Sequence, residues 1–338
     1  MQGGLNNKHP LKSLGLINTS VEVDTEKLGL WKGGKLFTNF TNLHGKGLTN
    51  DHVGDLQVIS NIDAKPYSQL YEYWYEQRLL KEKIKVKIGR QDANADFCSL
   101  EHSGDYINSS FGLIPNIPIP AYPAAGLGVS TMVSPNKYVD IKYGFFDGDS
   151  QVGTNTFKTA FDGKKGAVHI TEVAFKPAIK GYHGNYIAGF WTHTGDLDEI
   201  TDSADVRTFK NNKGFYTAFE QRIVNEHHCE QGLCLICQFG KALSDRNEIA
   251  NYYGAGLKYT GLIPKRNDDI TGIGTAIADV SNRYKSIDGR TQETVFELFH
   301  KIQFTKWLAL QPSMQCIFNP NGNGKNAFVM GIRSIITF

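Results

Sequence analysis

The feature that most constrains this 338-residue chain is its final stretch, residues 327–338, with the sequence AFVMGIRSIITF. Read with a period of two, Phe328 and Met330 alternate with Gly331 and Arg333, so one face is largely apolar and the other is small or polar. This is the pattern of a strand with lipid on one side and a water-filled lumen on the other. A closing aromatic residue is typical of bacterial outer-membrane barrels, although edge strands of soluble sandwiches also end this way.

Similar strand patterns recur along the whole chain, and no amphipathic helix of four turns is evident. The sequence therefore predicts an all-β fold, an antiparallel transmembrane β-barrel. The predicted strands are 16–24, 35–44, 69–80, 83–89, 126–134, 137–146, 166–175, 185–193, 214–224, 232–240, 252–260, 271–284, 291–302, 307–318 and 327–338.

Short and long connections alternate between these strands, as they do in outer-membrane barrels with short periplasmic turns and long external loops. Residues 135–136 form a tight turn, whereas 147–165 and 194–213 are long and polar. The longest connection is 90–125, which contains several prolines and lies on the external side. We expect it to fold into the lumen as a constriction loop, because a wide barrel has to be narrowed by something.

Composition excludes several classes of protein. No run of residues is long and apolar enough for a membrane helix, and the mean hydropathy is −0.34. The net charge of +2 gives no electrostatic case for a nucleic-acid partner. The chain starts MQGGLNNKHP, without the basic and apolar regions of an export signal.

At this point the sequence resembles the carbohydrate-selective porins of the OprB type. The resemblance runs through almost the whole chain, in fragments that are individually weak but occur in the family's order and spacing. They are residues 23–28 (VDTEKL), 71–77 (YEYWYEQ), 88–93 (IGRQDA), 108–112 (NSSFG), 256–262 (GLKYTGL), 311–315 (QPSMQ) and 319–320 (NP).

The resemblance implies a sixteen-stranded barrel in the bacterial outer membrane that passes mono- or small oligosaccharides by passive diffusion through a polar eyelet. Carbohydrates, outer-membrane lipid and lipopolysaccharide are the implied partners. The barrel-assembly machinery would recognise the last strand, which ends at Phe338. The family's early Gly-Gly-Leu turn stands here at Gly3. We therefore expect residues 1–338 to be a single, N-terminally incomplete barrel domain of about fifteen strands, with a weak seam between its first and last strands.

The period of two also sorts candidate pore residues. On the strand 69–80, Tyr71, Tyr73 and Tyr75 are predicted to face lipid, so their polar neighbours face the lumen. Planar hydrogen-bonding groups and aromatic plates suit a sugar, although a solvated face of a soluble sheet would look similar. The predicted pore-lining residues are Glu72, Trp74, Glu76, Lys85, Lys87, Arg90, Gln91, Asp92, Asn108, Glu293, Glu297, Gln315 and Arg333.

Other chemistries find little support. Cys229, Cys234 and Cys237 have the spacing of plant-type iron–sulfur ligands, but Cys234 and Cys237 fall on opposite faces of a predicted strand. A Cys229–Cys234 disulfide remains open, and unpaired cysteines are the default. No nucleophile elbow or Ser-His-Asp order is present. We predict no metal, no cofactor and no enzymatic activity. The alternatives to a sugar porin are a general non-selective porin or a soluble β-rich binding protein or adhesin.

Overall fold

The computed structural model describes residues 2–5, 10–152, 161, 165–179, 181–226 and 231–338. In these ranges, fifteen strands have eight or more residues and two have only two residues. The strands are β1 (Gln2–Gly3), β2 (Leu14–Asp24), β3 (Gly34–Gly45), β4 (Tyr67–Leu79), β5 (Ile84–Gln91), β6 (Gly126–Asn136), β7 (Val139–Asp147), β8 (Ala167–Phe175), β9 (Ala178–Ile179), β10 (Tyr182–Asp198), β11 (Thr208–Asn225), β12 (Gly232–Ala242), β13 (Ile249–Thr260), β14 (Ile270–Val280), β15 (Gln292–Thr305), β16 (Leu308–Phe318) and β17 (Ala327–Ile336).

The long strands form one antiparallel sheet in which each pairs with the next in the chain. The short strand β1 pairs with β17, with Gln2 opposite Phe328 and Gly3 opposite Ala327. Because Phe328 also faces Cys316 of β16, β1 lies on the other edge of the last strand, at the seam. The predicted fold class, an all-β antiparallel barrel, is confirmed, and so is the up-and-down order.

The two faces of the sheet differ as the alternation predicts. On β16, Met314 is 41 % exposed on the outside, while its neighbours Ser313 and Gln315 are buried on the inside. Met330 and Ile332 of the last strand are likewise exposed. Exposed Leu, Ile, Val, Phe and Tyr side chains continue this outer surface around the sheet, which matches a lipid-facing band.

Helical structure is confined to connections. The described helices are α1 (Ser109–Gly112), α2 (Asn282–Asp288), a π turn (Thr49–Val53) and 3-10 turns (Ala93–Ala95, His102–Asp105 and Pro320–Gly322). No helix in the described ranges is long and apolar enough to cross a membrane.

Two predicted element boundaries are wrong. The predicted loop 194–213 is largely strand, because the β10–β11 ladder continues to Asp198 opposite Thr208. Its polar residues break the apolar alternation without breaking the backbone pairing. The predicted strand 271–284 ends at Val280, because the Ser281 side chain accepts a hydrogen bond from the Tyr284 N–H and caps α2.

One predicted side-chain direction is also wrong. Tyr71 is not on the lipid side: it is only 5 % exposed, and its hydroxyl donates a 2.5 Å hydrogen bond to Asp92. The cause is a β-bulge, since Glu72 pairs with Asn39 whereas Leu70 pairs with Phe40. A bulge shifts the alternation by one residue, so both Tyr71 and Glu72 point towards the interior.

Candidate functional site

The interior of the barrel is largely occupied by the connection between β5 and β6, residues 92–125, which we call the inward loop. Its apolar side chains, including Phe97, Phe111 and Ile114, are fully buried. They join one hydrophobic cluster with wall residues such as Trp191 and Phe299. The core of the protein therefore lies inside the barrel, between the loop and the wall.

Inward-facing glycines make room for this loop. Tyr106 and Phe111 of the loop stack with ring centres 4.2 Å apart. They lie over Gly256 and Gly274 on the neighbouring strands β13 and β14. A Cβ added at Gly274 would stand 2.8 Å from ring carbons of both side chains. Because these two glycines have no side chain, the wall forms a flat surface on which the two rings pack.

Buried glutamates of the wall hold the loop backbone. Glu297 on β15 accepts hydrogen bonds from the N–H groups of Ile107 (2.7 Å) and Asn108 (2.8 Å). Glu293 on the same strand holds a different segment in the same way, with Leu56 N–H at 2.7 Å and Gln57 N–H at 2.9 Å. Both carboxylates were predicted to line the pore, but they are 1 % and 0 % exposed and serve as anchors.

Three further glutamates anchor the inward loop in the same manner. Glu72 accepts from Asp92 N–H at 2.9 Å, Glu172 from Cys98 N–H at 2.8 Å, and Glu220 from His102 N–H at 2.8 Å. A carboxylate is a strong acceptor for backbone amides that would otherwise be buried without a partner. The inward loop is therefore fixed at several points along its length rather than hanging from its two ends.

A second loop, residues 46–66 between β3 and β4, also folds inward. The alternation of apolar and polar residues in the sequence does not indicate that this loop packs inside. Gln315 joins the two loops: its amide nitrogen donates to Ile59 O (2.8 Å) and its oxygen accepts from the Asn108 side chain (3.2 Å). The loops also bond directly, from Asn61 N–H to Ile107 O (2.8 Å).

Several other predicted residues fasten the loops instead of facing open space. Arg90 is buried and donates to the carbonyls of Ala125 and Gln151, each at 3.1 Å. Gln91 donates to Gly128 O at 3.0 Å, and Asp92 caps the turn at Asn94. Arg333 donates to the side chains of Ser60 (3.2 Å) and Asn61 (2.7 Å) of the second loop.

Beside the first turn of the inward loop lies a polar cavity of about 280 Å³, which we call the lysine groove. Three predicted residues, Glu76, Lys85 and Lys87, line it. The structure adds residues from both the loop and the wall, namely Asp96, Ser130, Asp140, Lys142, Lys176 and Asn185. A second cavity of about 490 Å³ shares Lys176 and Asn185, so the two are neighbours along the lumen.

Lysines and carboxylates pair within the groove. Lys87 Nζ lies 2.6 Å from Asp96 Oδ2, and Lys176 Nζ lies 2.5 Å from Asp140 Oδ2. Lys142 lies directly opposite buried Glu172 on the neighbouring strand, and the two side chains pair at 2.7 Å. Such mixed charges suit a neutral, hydroxyl-rich solute, because a hydroxyl can accept from an ammonium group and donate to a carboxylate.

An aromatic plate adjoins the groove. Phe37 and Trp74 stack with ring centres 4.8 Å apart, and Lys87 Nζ lies 4.7 Å above the Trp74 ring. Trp74 was predicted to line the pore, whereas Phe37 was missed. The register pairs Phe37 directly with Trp74, so the alternation of β3 could have revealed it.

The middle of the inward loop carries its own ion pairs. Asp105 contacts Lys258 of β13 and lies 3.1 Å from Lys301 of β15. Burial opposes ionisation of this carboxyl, but Lys258 and then Lys301 outweigh that effect and lower its pKa. For the neighbouring His102, burial and Lys258 both lower the pKa. These charges hold the loop against strands β13 and β15.

The groove residues that sequence reasoning missed had a readable signal. On β7, Asp140 and Lys142 alternate with exposed Ile141 and Tyr143, which is the pattern already used on β4 and β5. Asp96 had no such signal, because it lies in the irregular inward loop. Its place depends on how the loop packs.

The cysteine cluster is only partly described. Cys229 lies outside the described residues, whereas Cys234 and Cys237 are free thiols. Inside the described ranges no group of His, Cys, Asp or Glu is arranged to hold a metal ion.

Comparison with known proteins gives one family match and one curated relative. The profile of the family described as "Carbohydrate-selective porin, OprB family" matches residues 8–338. Porin B of Pseudomonas aeruginosa is 26 % identical over 362 residues, which cover 93 % of this chain and 79 % of that protein.

Solved structures support the fold. The high-pH structure of Pseudomonas putida OprB superposes with a TM-score of 0.90 at 21 % identity, over 100 % of this chain and 91 % of that chain. A triple mutant of the Rhodopseudomonas blastica porin gives a TM-score of 0.52 at 12 % identity, covering 98 % and 92 %. At these identities the likeness concerns the barrel fold.

Proposed function

This chain belongs to the OprB family of carbohydrate-selective porins, and we propose that its inward loop is the constriction that makes it selective. It is a bacterial outer-membrane channel for carbohydrates and not an enzyme. The proposal concerns how the channel discriminates among solutes. We assign the eyelet to the gap between the inward loop and the wall strands β4 to β8.

The observation that carries the proposal is the lysine groove beside the loop. It offers paired ammonium and carboxylate groups, with Lys87 shared between Asp96 and the face of Trp74. A sugar could exchange hydrogen bonds with each pair in turn while an apolar ring face rests on the Phe37–Trp74 plate. Such contacts are individually weak, which suits conduction because tight binding would prevent release.

The anchoring of the loop supports its role as a size filter. Glu72, Glu172, Glu220 and Glu297 each hold loop amides at 2.7 to 2.9 Å. A loop fixed in this way stays at a constant distance from the wall strands β4 to β8, so the width of the gap between them is constant. Selectivity by size requires such a fixed loop, whereas a loose loop would let the aperture fluctuate.

We also propose how the outer surface meets its surroundings. The exposed apolar side chains would contact lipid chains, including those of lipopolysaccharide in the outer leaflet. Phe338, which follows the last strand, is fully exposed and is the proposed contact for the barrel-assembly machinery. Both proposals are supported by the exposure of these side chains and by their apolar or aromatic character.

Liposome swelling tests the proposal. Vesicles containing the purified protein are diluted into isotonic glucose, maltose, maltotriose or raffinose, and the initial swelling rate is measured. We expect rates to fall much more steeply with sugar size than in vesicles with a general, non-selective porin as control. Swelling with the same size dependence as the general porin would support that alternative, and no swelling with any sugar would contradict the proposal.

A further inference from the structure

We infer that the lysine groove is a subsite for acidic monosaccharides, sugars that carry a carboxylate, and that Lys85 recognises the charge. This inference rests on the proposed function, because the ligand must enter through the same lumen. It goes further by naming a substrate class and a residue that discriminates within it.

The first observation is the balance of charge. Four lysines line the groove, namely Lys85, Lys87, Lys142 and Lys176, against three carboxylates, Glu76, Asp96 and Asp140. In the described part of the chain each carboxylate has a cationic partner, including Glu76, which lies 2.8 Å from Arg78. Lys85 is the lysine without a carboxylate partner in those ranges, and it stands directly opposite Arg78 on the neighbouring strand. Arg78 also pairs with Glu82 at 3.3 Å, and Lys142 pairs with Glu172 at 2.7 Å, so Lys85 is the groove cation left without an anionic partner in the described ranges.

The second observation is the set of hydrogen-bond donors that the groove lysines leave free. Each ammonium group has three donors. Lys87 and Lys176 each give one to a carboxylate, and Lys142 gives two, to Glu172 and to the Asp96 carbonyl. The carboxylates also accept from serines: Ser134 donates to Asp140 at 2.5 Å. The ammonium group of Lys85 gives none of its three donors to a protein acceptor in the described ranges, so a ligand carboxylate, which only accepts, can take them.

The third observation distinguishes a sugar acid from a simple anion. The side-chain oxygen of Asn185, which lines the same groove, is buried and has no hydrogen-bond partner among the described residues. An unpaired buried acceptor is costly unless a ligand donates to it, and a sugar hydroxyl can do so. The volume of about 280 Å³ lies at the small end of ligand pockets, which fits one sugar ring. A carboxylate for Lys85 and a hydroxyl for Asn185 together describe an acidic monosaccharide.

The test measures current block in planar bilayers with KCl as carrier, titrating glucose and glucuronate in separate runs. In the wild-type protein glucuronate should block at a lower half-blocking concentration than glucose. Lys85→Gln should lower this preference by roughly five- to tenfold, whereas Lys85→Arg should retain it. Lys285→Gln is the matched control, because it also removes a lysine, in this case a paired one: Lys285 lies 2.6 Å from Asp279, and neither residue lines the groove. It should leave the preference at the wild-type value.

Three results would overturn the inference. The first is equal block by glucose and glucuronate in the wild type. The second is an equal loss of preference in Lys85→Gln and Lys285→Gln, which would mean a general effect of the protein's charge. The third is block by acetate at the same concentrations as glucuronate, which would mean a bare anion site. Failure of the proposed function is distinguishable, because it is measured with neutral sugars in liposomes, as swelling with the size dependence of a general porin or as no swelling at all.

Discussion

Glu297 of β15 accepts a 2.7 Å hydrogen bond from the backbone N–H of Ile107, which lies 190 residues earlier in the chain. The same carboxylate holds the next amide, that of Asn108, at 2.8 Å. A side chain that the strand pattern assigns to an open pore is therefore an anchor for the inward loop. The barrel wall and the inward loop are held together as one hydrogen-bonded unit.

Removing the charge of this anchor should loosen the loop locally. Glu297→Gln keeps the shape of the side chain but loses the charge, and charged hydrogen bonds contribute about 1.5–3 kcal/mol each. We expect amide hydrogen exchange at Ile107 and Asn108 to accelerate by at least about tenfold. Glu26→Gln is the control, since Glu26 lies in an exposed turn. Unchanged exchange in Glu297→Gln would show that the anchor does not hold the loop.

The flat wall surface at Gly256 and Gly274 should not tolerate even one added methyl group. Gly274→Ala would place Cβ 2.8 Å from the rings of Tyr106 and Phe111, and such overpacking typically costs about 1–3 kcal/mol. Gly331→Ala is the matched control, because the nearest atom to its Cβ is 3.7 Å away. We expect a lower thermal unfolding midpoint for Gly274→Ala only. Equal thermal unfolding midpoints in the two variants would show that the inward loop does not pack closely against Gly274.

The aromatic plate should contribute to sugar affinity. Trp74→Ala removes the ring that stacks on Phe37 and lies beneath Lys87, so the half-blocking concentration of glucose should rise about fivefold. Trp307→Ala, in an exposed turn, should leave it unchanged. The readout is sugar-induced current block. An equal rise of the half-blocking concentration in both variants would show that the Phe37–Trp74 pair does not contribute to sugar binding.

The second loop should loosen at alkaline pH. Burial and the nearby Glu293 raise the pKa of Asp55 from 3.8 to about 8. The folded state therefore binds this proton more tightly than the unfolded state, so stability falls as pH rises from about 4 to 8. We expect protease cleavage within 46–66 to increase between pH 6 and 9. Asp55→Asn, which cannot ionise, should abolish this dependence, and persistence of the dependence in that variant would contradict the assignment.

The barrel was readable from sequence because its rules are local. Alternation along β16 and β17, and the lengths of turns, depend only on residues close together in the chain. The same rule failed at Tyr71, where a bulge shifts the alternation, and bulges leave little trace in a single strand's sequence. It also misplaced the end of β14, where a capping serine overrides an apolar pattern.

The interior was harder to predict because its contacts join residues far apart in sequence. Glu293 and Glu297 point inward as predicted. The alternation along a strand, however, does not show whether an inward carboxylate contacts water or the backbone amide of a loop. The apolar residues Phe97, Phe111 and Ile114 indicated that the loop needs a core to pack against, and the inward-facing Gly256 and Gly274 indicated where. Only when the apolar loop residues and the inward-facing glycines are considered together do they predict where the loop packs.

Deleting residues 99–120 would be a poor test of the constriction, although these residues form no barrel strand. The deletion would uncover Trp191, Tyr216 and Phe299, which pack against the loop inside the barrel. A variant that releases the loop while keeping its side chains is preferable. Glu220 and Glu297 hold its middle at His102 and Ile107, so their amides are the points to weaken.

The most direct measurement is the ratio of maltose to glucose swelling rates in liposomes that contain the double variant Glu220→Gln, Glu297→Gln. Hydrogen exchange at Ile107 verifies in the same preparation that the loop is released. If the anchored loop sets the aperture, the ratio should rise clearly above the wild-type value. An unchanged ratio with a demonstrably released loop would contradict the account that this loop selects among sugars.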